Sequence, residues 1–160
     1  MMRIYLRNFI FGVEDSLVST VGLLAGIAWA GIARSEIIVT GIVLIFVEAF
    51  SMSVGSFLSE RTTEESYPGF KQHRSRSLPA AGIMFVSYLL CGLIPLAPYL
   101  LTGGITAFAW SIALSLCSLF ALGWVSAALL KMPVARGALR MAIVGGIAIG
   151  VGIMVGIVIP

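Results

Sequence analysis

From Ser77 to Leu130 the chain carries no Asp, Glu, Lys or Arg. A soluble domain cannot keep so long an uncharged stretch away from water, whereas about 20 apolar residues cross a bilayer as one helix. The composition agrees. Of 160 residues, 59% are hydrophobic and 11% charged, against about 25% charged in an ordinary globular domain, and the mean hydropathy is +1.08. The chain reads as an integral membrane protein, which sets aside soluble enzymes and nucleic-acid binders. Cys91 and Cys117 lie in apolar runs without a CxxC pair and read as small hydrophobes.

Five apolar segments follow from the pattern, at about 9–33, 37–58, 78–101, 105–130 and 141–160. Thr102-Gly103-Gly104 is a turn signal within the long uncharged run, and Arg34-Ser35-Glu36 separates the first two segments. The expected fold is an all-α membrane protein, one transmembrane domain over residues 1–160. A cleaved signal peptide is a poor alternative for the first segment, which is too long and carries Glu14 and Asp15 near its start.

Orientation rests on Lys and Arg. Arg3 and Arg7 precede the first span. Arg61, Lys71, Arg74 and Arg76 lie in the loop expected over 61–77, and Lys131, Arg136 and Arg140 lie around the connection before the last span. Arg34 alone falls on the opposite side. This asymmetry predicts a cytosolic N-terminus and a non-cytosolic C-terminus, and it explains the basic pI without nucleic acid. An odd number of spans cannot form two equal inverted halves, so a two-fold path needs a second chain.

An ionisable group within a span costs several kcal/mol and marks a candidate functional position. Asp15 lies about 9 Å beyond Phe9 along a helix, and Glu48 lies roughly 16 Å into the second span, near the midplane. Glu14 sits closer to the headgroups. Asp15, Ser19, Gly22 and Gly26 share one helical face, as do Glu48, Met52, Gly55 and Ser59. Gly22 and Gly26 form a GxxxG, which lets two membrane helices approach closely. Carboxylates bind hard and borderline cations, while a thioether favours softer ones. Asp15 or Glu48 with Met52 therefore points away from Mg²⁺ and Ca²⁺ and towards Fe²⁺. A carboxyl group that cannot stay charged out of water can trade a proton for a metal ion.

Three stretches carry a resemblance. Val13 to Gly26 (VEDSLVSTVGLLAG), Glu48 to Glu60 (EAFSMSVGSFLSE) and Gly92 to Leu101 (GLIPLAPYLL) resemble the vacuolar iron transporter family. The resemblance implies a two-fold homodimer moving Fe²⁺, and often Mn²⁺, out of the cytosol in exchange for protons. Its path runs between the first two helices of both chains, with Asp15 and Met52 as matching ligands. No permanently bound cofactor is implied; the metal is cargo. Three departures stand out. Glu14 replaces the usual Asn, Ser56 replaces a glutamate common on the second helix, and the helical metal-binding insert of eukaryotic members is missing between the second and third spans. The short loop still offers Glu60, Glu64 and Glu65 as a cytosolic entry site, whereas His73 sits amid Lys71, Arg74 and Arg76.

The expected protein is thus a Fe²⁺/Mn²⁺–proton antiporter in a prokaryotic cytoplasmic membrane, with lipid, metal ions, protons and a second copy as partners. Two alternatives stay open: the same fold carrying another cation or a non-metal substrate, and a non-transporting membrane scaffold.

Overall fold

The computed structural model describes residues 2–66 and 77–158. Five helices follow one another: α1 (Met2–Trp29), α2 (Arg34–Ser66), α3 (Ser77–Leu101), α4 (Gly104–Leu129) and α5 (Val134–Val158). All five are long and apolar enough to cross a membrane. The helix α2 runs on past Leu58 to Ser66, so residues 61–66 continue it as a helical extension. Lys71, His73, Arg74 and Arg76 lie outside the described residues.

α1 is the centre of the bundle and touches each of the other four helices. Its sequence suits that place, since Gly12, Ser16, Thr20, Gly22 and Gly26 are small residues that let neighbouring backbones come close. Between them Val13, Leu17, Val21, Leu24 and Ala25 are buried. Leu24 packs with Ile37, Ile45, Leu96 and Tyr99 in one cluster, and Val13 and Leu17 pack with Leu119, Leu122 and Met141 in another. α2 lies chiefly on α3, and α5 chiefly on α1 and α4. The outward faces of α2 (Phe46, Val47, Phe50) and α5 (Ile147, Val151, Met154) are exposed, as lipid-facing helices require.

Contacts along the helices show which ends lie together. Gly41 faces Leu24 and Ser56 meets Asn8, so α1 and α2 are antiparallel. Gly12 faces Met84 and Ser16 meets Tyr88, so α1 and α3 run parallel. Gly26 faces Gly152, so α5 also runs parallel to α1. This alternation gathers Arg7, Arg61, Lys131, Arg136 and Arg140 at one end of the bundle, hereafter the basic end, and puts Arg34 at the other. Arg34 has a local task there. Its Nε donates to the Tyr99 carbonyl at 2.6 Å and its Nη2 to the Leu100 carbonyl at 2.8 Å, so a cation closes the C-terminus of α3, where free carbonyls collect.

The connections are short. After α1, Gly31 has φ 78°. Its N–H donates to Ala28 and that of Ile32 donates to Ile27, both at 3.2 Å, which is a Schellman ending that glycine adopts freely. α4 ends the same way, with Met132 donating to Ala127 at 2.9 Å, but there Lys131 holds the left-handed position at φ 55°. α3 ends at Leu101, where Thr102 folds back to donate to the Pro98 carbonyl at 2.8 Å through its N–H and 2.9 Å through its hydroxyl. α3 stays helical through Pro95 and Pro98. Ser111 of α4 donates to the Pro95 carbonyl at 2.7 Å and ties the two helices together there.

Candidate functional site

The seam between α1 and α2 collects the polar groups. Leu24 beside Gly41 fixes the register in the apolar half, and Asn8 beside Ser56 fixes it near the basic end. Between those points the register brings Asp15 level with Glu48. The two carboxyl groups lie within electrostatic range of each other, and Glu14 is a further neighbour of Asp15. All three are half-buried.

Behind the acids stands Tyr88 of α3, fully buried and within electrostatic range of both Asp15 and Glu48. Two serines on α1 hold it. Ser16 Oγ donates to the Tyr88 carbonyl at 2.6 Å, and Ser19 Oγ shares a hydrogen bond with the Tyr88 hydroxyl at 2.7 Å. Glycines bring the helices near enough for this. A Cβ on Gly92 would lie 2.9 Å from Ser16 Oγ, and one on Gly12 would lie 3.1 Å from the Met84 carbonyl.

Met52 lies one turn from Glu48 towards the basic end. It lines an open cavity of about 650 Å³ together with Asn8, Phe11, Ser56, Glu60 and Arg7. Glu14, absent from that lining, lines a neighbouring depression with Leu6, Arg7, Ile10, Phe11, Leu130 and Met132, beside the turn between α4 and α5; Arg7 and Phe11 border both spaces. The helical spacing of 100° per residue sets Glu14 on a different face from Asp15, since neighbours in sequence cannot share a face.

The three acids near the end of α2 are dispersed. Glu60 is buried and ion-paired with Arg7. Glu65 is exposed and accepts a hydrogen bond from Arg61 Nε at 2.7 Å, and Glu64 is half-buried. Ser56, standing where a glutamate was expected by resemblance, donates to Asn8 Oδ1 at 2.6 Å. Within one chain, and among the described residues, no three His, Cys, Asp or Glu side chains converge closely enough to hold a metal ion.

The helix-packing glycines occupy another seam. Gly22 and Gly26 meet Gly152 and Gly156 of α5, backbone against backbone. The α1 GxxxG thus packs within the chain, against a second GxxxG, and an open groove of about 700 Å³ runs along that contact. Gly146 and Gly150 have open space around them.

Sequence reasoning missed three of these relationships: Ser19 with Tyr88, Asn8 with Ser56, and Arg7 with Glu60. Asn8 gave the strongest available signal, as an amide adjoining the first apolar run. Tyr88 gave little, because a tyrosine in an apolar span is common at membrane interfaces.

Two carboxyl groups and a thioether along the α1–α2 seam, with a tyrosine hydroxyl of α3 behind them, are groups able to hold a cation or a proton. A bundle of five helices long and apolar enough to cross a membrane belongs to the class of multi-pass membrane proteins. The profile of the VIT family matches residues 6–78 and 68–157, and the chain belongs to that family. The junction between the two matched segments falls in the connection between α2 and α3. The chain is also similar to Vacuolar iron transporter 1 of Arabidopsis thaliana, with 23% identity over 202 residues, covering 89% of this chain and 81% of that protein. Family and relative together support metal transport as the general activity.

Proposed function

We propose that this protein moves a divalent transition metal, Fe²⁺ or Mn²⁺, out of the cytosol of a prokaryote in exchange for protons, working as a homodimer. The observation that carries this reading is the α1–α2 seam, where half-buried Asp15 and Glu48 stand within range of each other with Met52 one turn nearer the basic end. Structural carboxylates would be expected to sit in ion pairs; among the described residues Asp15 and Glu48 have each other within range and no ion-paired cation. The name of the Arabidopsis relative supports iron as the cargo.

Asp15 is the main ligand and proton carrier in this reading, Met52 the residue that favours a softer metal, and Glu48 and Glu14 auxiliary acids. Two carboxyls in range of each other resist being charged together, so a dication entering between them releases protons, and protons returning from the far side release the metal. One chain supplies too few ligands to enclose a cation; a two-fold partner would double each of them about one path. The basic end faces the cytosol by the positive-inside rule.

The test is Fe²⁺ flux into proteoliposomes with and without an imposed pH gradient, for wild type and Asp15→Ala. Gradient-driven flux in the wild type and its loss in the variant are expected. An Asp15→Ala protein that moves iron at the wild-type rate would sink the assignment. One observation favours a different cargo on the same fold. Ser56 is committed to Asn8 and offers no carboxylate, so competition by other cations belongs in the same assay.

A further inference from the structure

Two bridges cross the α1–α2 seam at the basic end, one turn apart on α2. Asn8 is 3% exposed; its Nδ2 donates to the Ile4 carbonyl at 3.0 Å, and its Oδ1 accepts from Ser56 Oγ at 2.6 Å. That amide is therefore held on both sides. Beside it Arg7 reaches Glu60. The two partners differ in surroundings: the Glu60 side chain is 11% exposed and the Arg7 side chain 68%. All four residues line the cavity that contains Met52.

The asymmetry has a physical consequence. A carboxylate as buried as Glu60 is costly without a cation beside it, so Glu60 stays in place and requires a positive partner. Arg7, largely in solvent, can swing away at little cost to its own hydration. A dication meets the same carboxylate with twice the charge of a guanidinium, so it competes for Glu60 on favourable terms. Arg61, also at the end of α2, is engaged with Glu65 on α2 itself.

We propose that Arg7 is the gate residue of the path. Its ion pair with Glu60, beside the Asn8–Ser56 bridge, ties α1 to α2 along the wall of the Met52 cavity, where a cation from the basic side would have to pass. A divalent cation gains entry by replacing Arg7 on Glu60. This rests on the transport reading, because it takes the Met52 cavity as part of the path.

The closing experiment separates the gate from transport. A cysteine is placed by Met52→Cys in a chain whose Cys91 and Cys117 are changed to Ala. Its rate of reaction with a small membrane-impermeant cationic thiol reagent is then measured from each side of the membrane. Slow reaction from the basic side is expected with Arg7 and Glu60 intact, and at least tenfold faster reaction with Arg7→Ala. Arg7→Lys keeps the rate low, and the charge exchange Arg7→Glu with Glu60→Arg restores the low rate. In chains that retain Met52, the exchanged pair transports Mn²⁺ poorly, since no carboxylate at position 60 can trade its partner for a metal ion. Unchanged thiol accessibility in Arg7→Ala would overturn the gate. Flux in the exchanged pair with wild-type KM would overturn the cation exchange at Glu60. The thiol measurement needs no flux, so a wild type that carries neither metal defeats the transport reading and leaves the gate to be judged by accessibility.

Discussion

Ser19 and Tyr88 meet hydroxyl to hydroxyl at 2.7 Å, one turn along α1 from Asp15. The bond fixes a buried tyrosine of α3 against the helix that carries Asp15, so the back wall of the acidic seam is built by two helices that do not adjoin in sequence. Tyr88→Phe keeps the ring and removes the hydroxyl. A hydrogen bond between membrane helices contributes about 0.6 kcal/mol, so a small loss of thermal stability is expected. Metal flux falls several-fold in the proteoliposome assay if the wall positions Asp15. A variant with the stability loss and unaltered flux would reduce the pair to a packing role.

The glycine seam between α1 and α5 makes a sharper prediction about stability. A Cβ on Gly152 would collide with the Gly22 carbonyl, whereas one on Gly146 would meet nothing within 4 Å. Overpacking of this kind costs about 1–3 kcal/mol. Gly152→Ala should therefore lower the melting temperature in detergent, and Gly146→Ala should leave it near the wild-type value. Equal melting temperatures for the two variants would show that α5 can shift away from α1 at no cost.

Much of the fold was legible because the bilayer imposes a simple rule. Runs such as Ser77 to Leu130 leave no soluble solution, and Thr102-Gly103-Gly104 marks the place where that run turns. The acids of the seam were legible too, since Asp15 and Glu48 are conspicuous among apolar neighbours. What pairs with what was not. The α1 GxxxG states that some backbone comes close and leaves its partner unnamed; the partner is α5, whose own Gly152 and Gly156 complete the contact. Likewise the sequence offers Glu60 only as one of three acids at a cytosolic entry, and the structure shows it facing α1 and paired with Arg7.

Arg34 illustrates how a single charge can carry two meanings. Sequence places it as the lone basic residue on the non-cytosolic side, and the structure gives it the carbonyls of Tyr99 and Leu100. Arg34→Ala removes two charge-assisted donors from the end of α3, and a loss of about 1–2 kcal/mol is expected. Arg34→Lys recovers only part of it, since one ammonium cannot reproduce the planar fork. Chemical or thermal unfolding of the three proteins in one detergent checks this; equal stabilities would mean that water satisfies those carbonyls equally well.

The end of α4 offers a stabilising change. Lys131 occupies a left-handed backbone position, φ 55°, that costs a side-chain-bearing residue roughly 1 kcal/mol, while its side chain is exposed. Lys131→Gly relieves that strain, and a gain of somewhat under 1 kcal/mol is expected once the added freedom of the unfolded chain is counted. Gly31→Ala, at the matching position after α1, should act in the opposite direction. Melting curves of both variants test the pair, and a destabilised Lys131→Gly protein would contradict the conformational argument.

Metal dependence of stability separates a transporter from a scaffold. A ligand that binds only the folded state stabilises it by mass action, roughly 2.7 kcal/mol at a hundred times its Kd. Wild-type protein titrated with Mn²⁺ should therefore melt at rising temperature, with Mg²⁺ much less effective because Met52 favours softer ions. Asp15→Asn retains the size and hydrogen-bonding capacity of the side chain and removes its charge, so its own fold should persist while the Mn²⁺ response shrinks. Glu48→Gln should weaken the response less if Glu48 has the auxiliary part proposed for it. If Mn²⁺ and Mg²⁺ shift the wild type equally, Met52 confers no selectivity. If neither shifts it, Asp15 and Glu48 hold no exchangeable cation and their place beside Tyr88 is architectural.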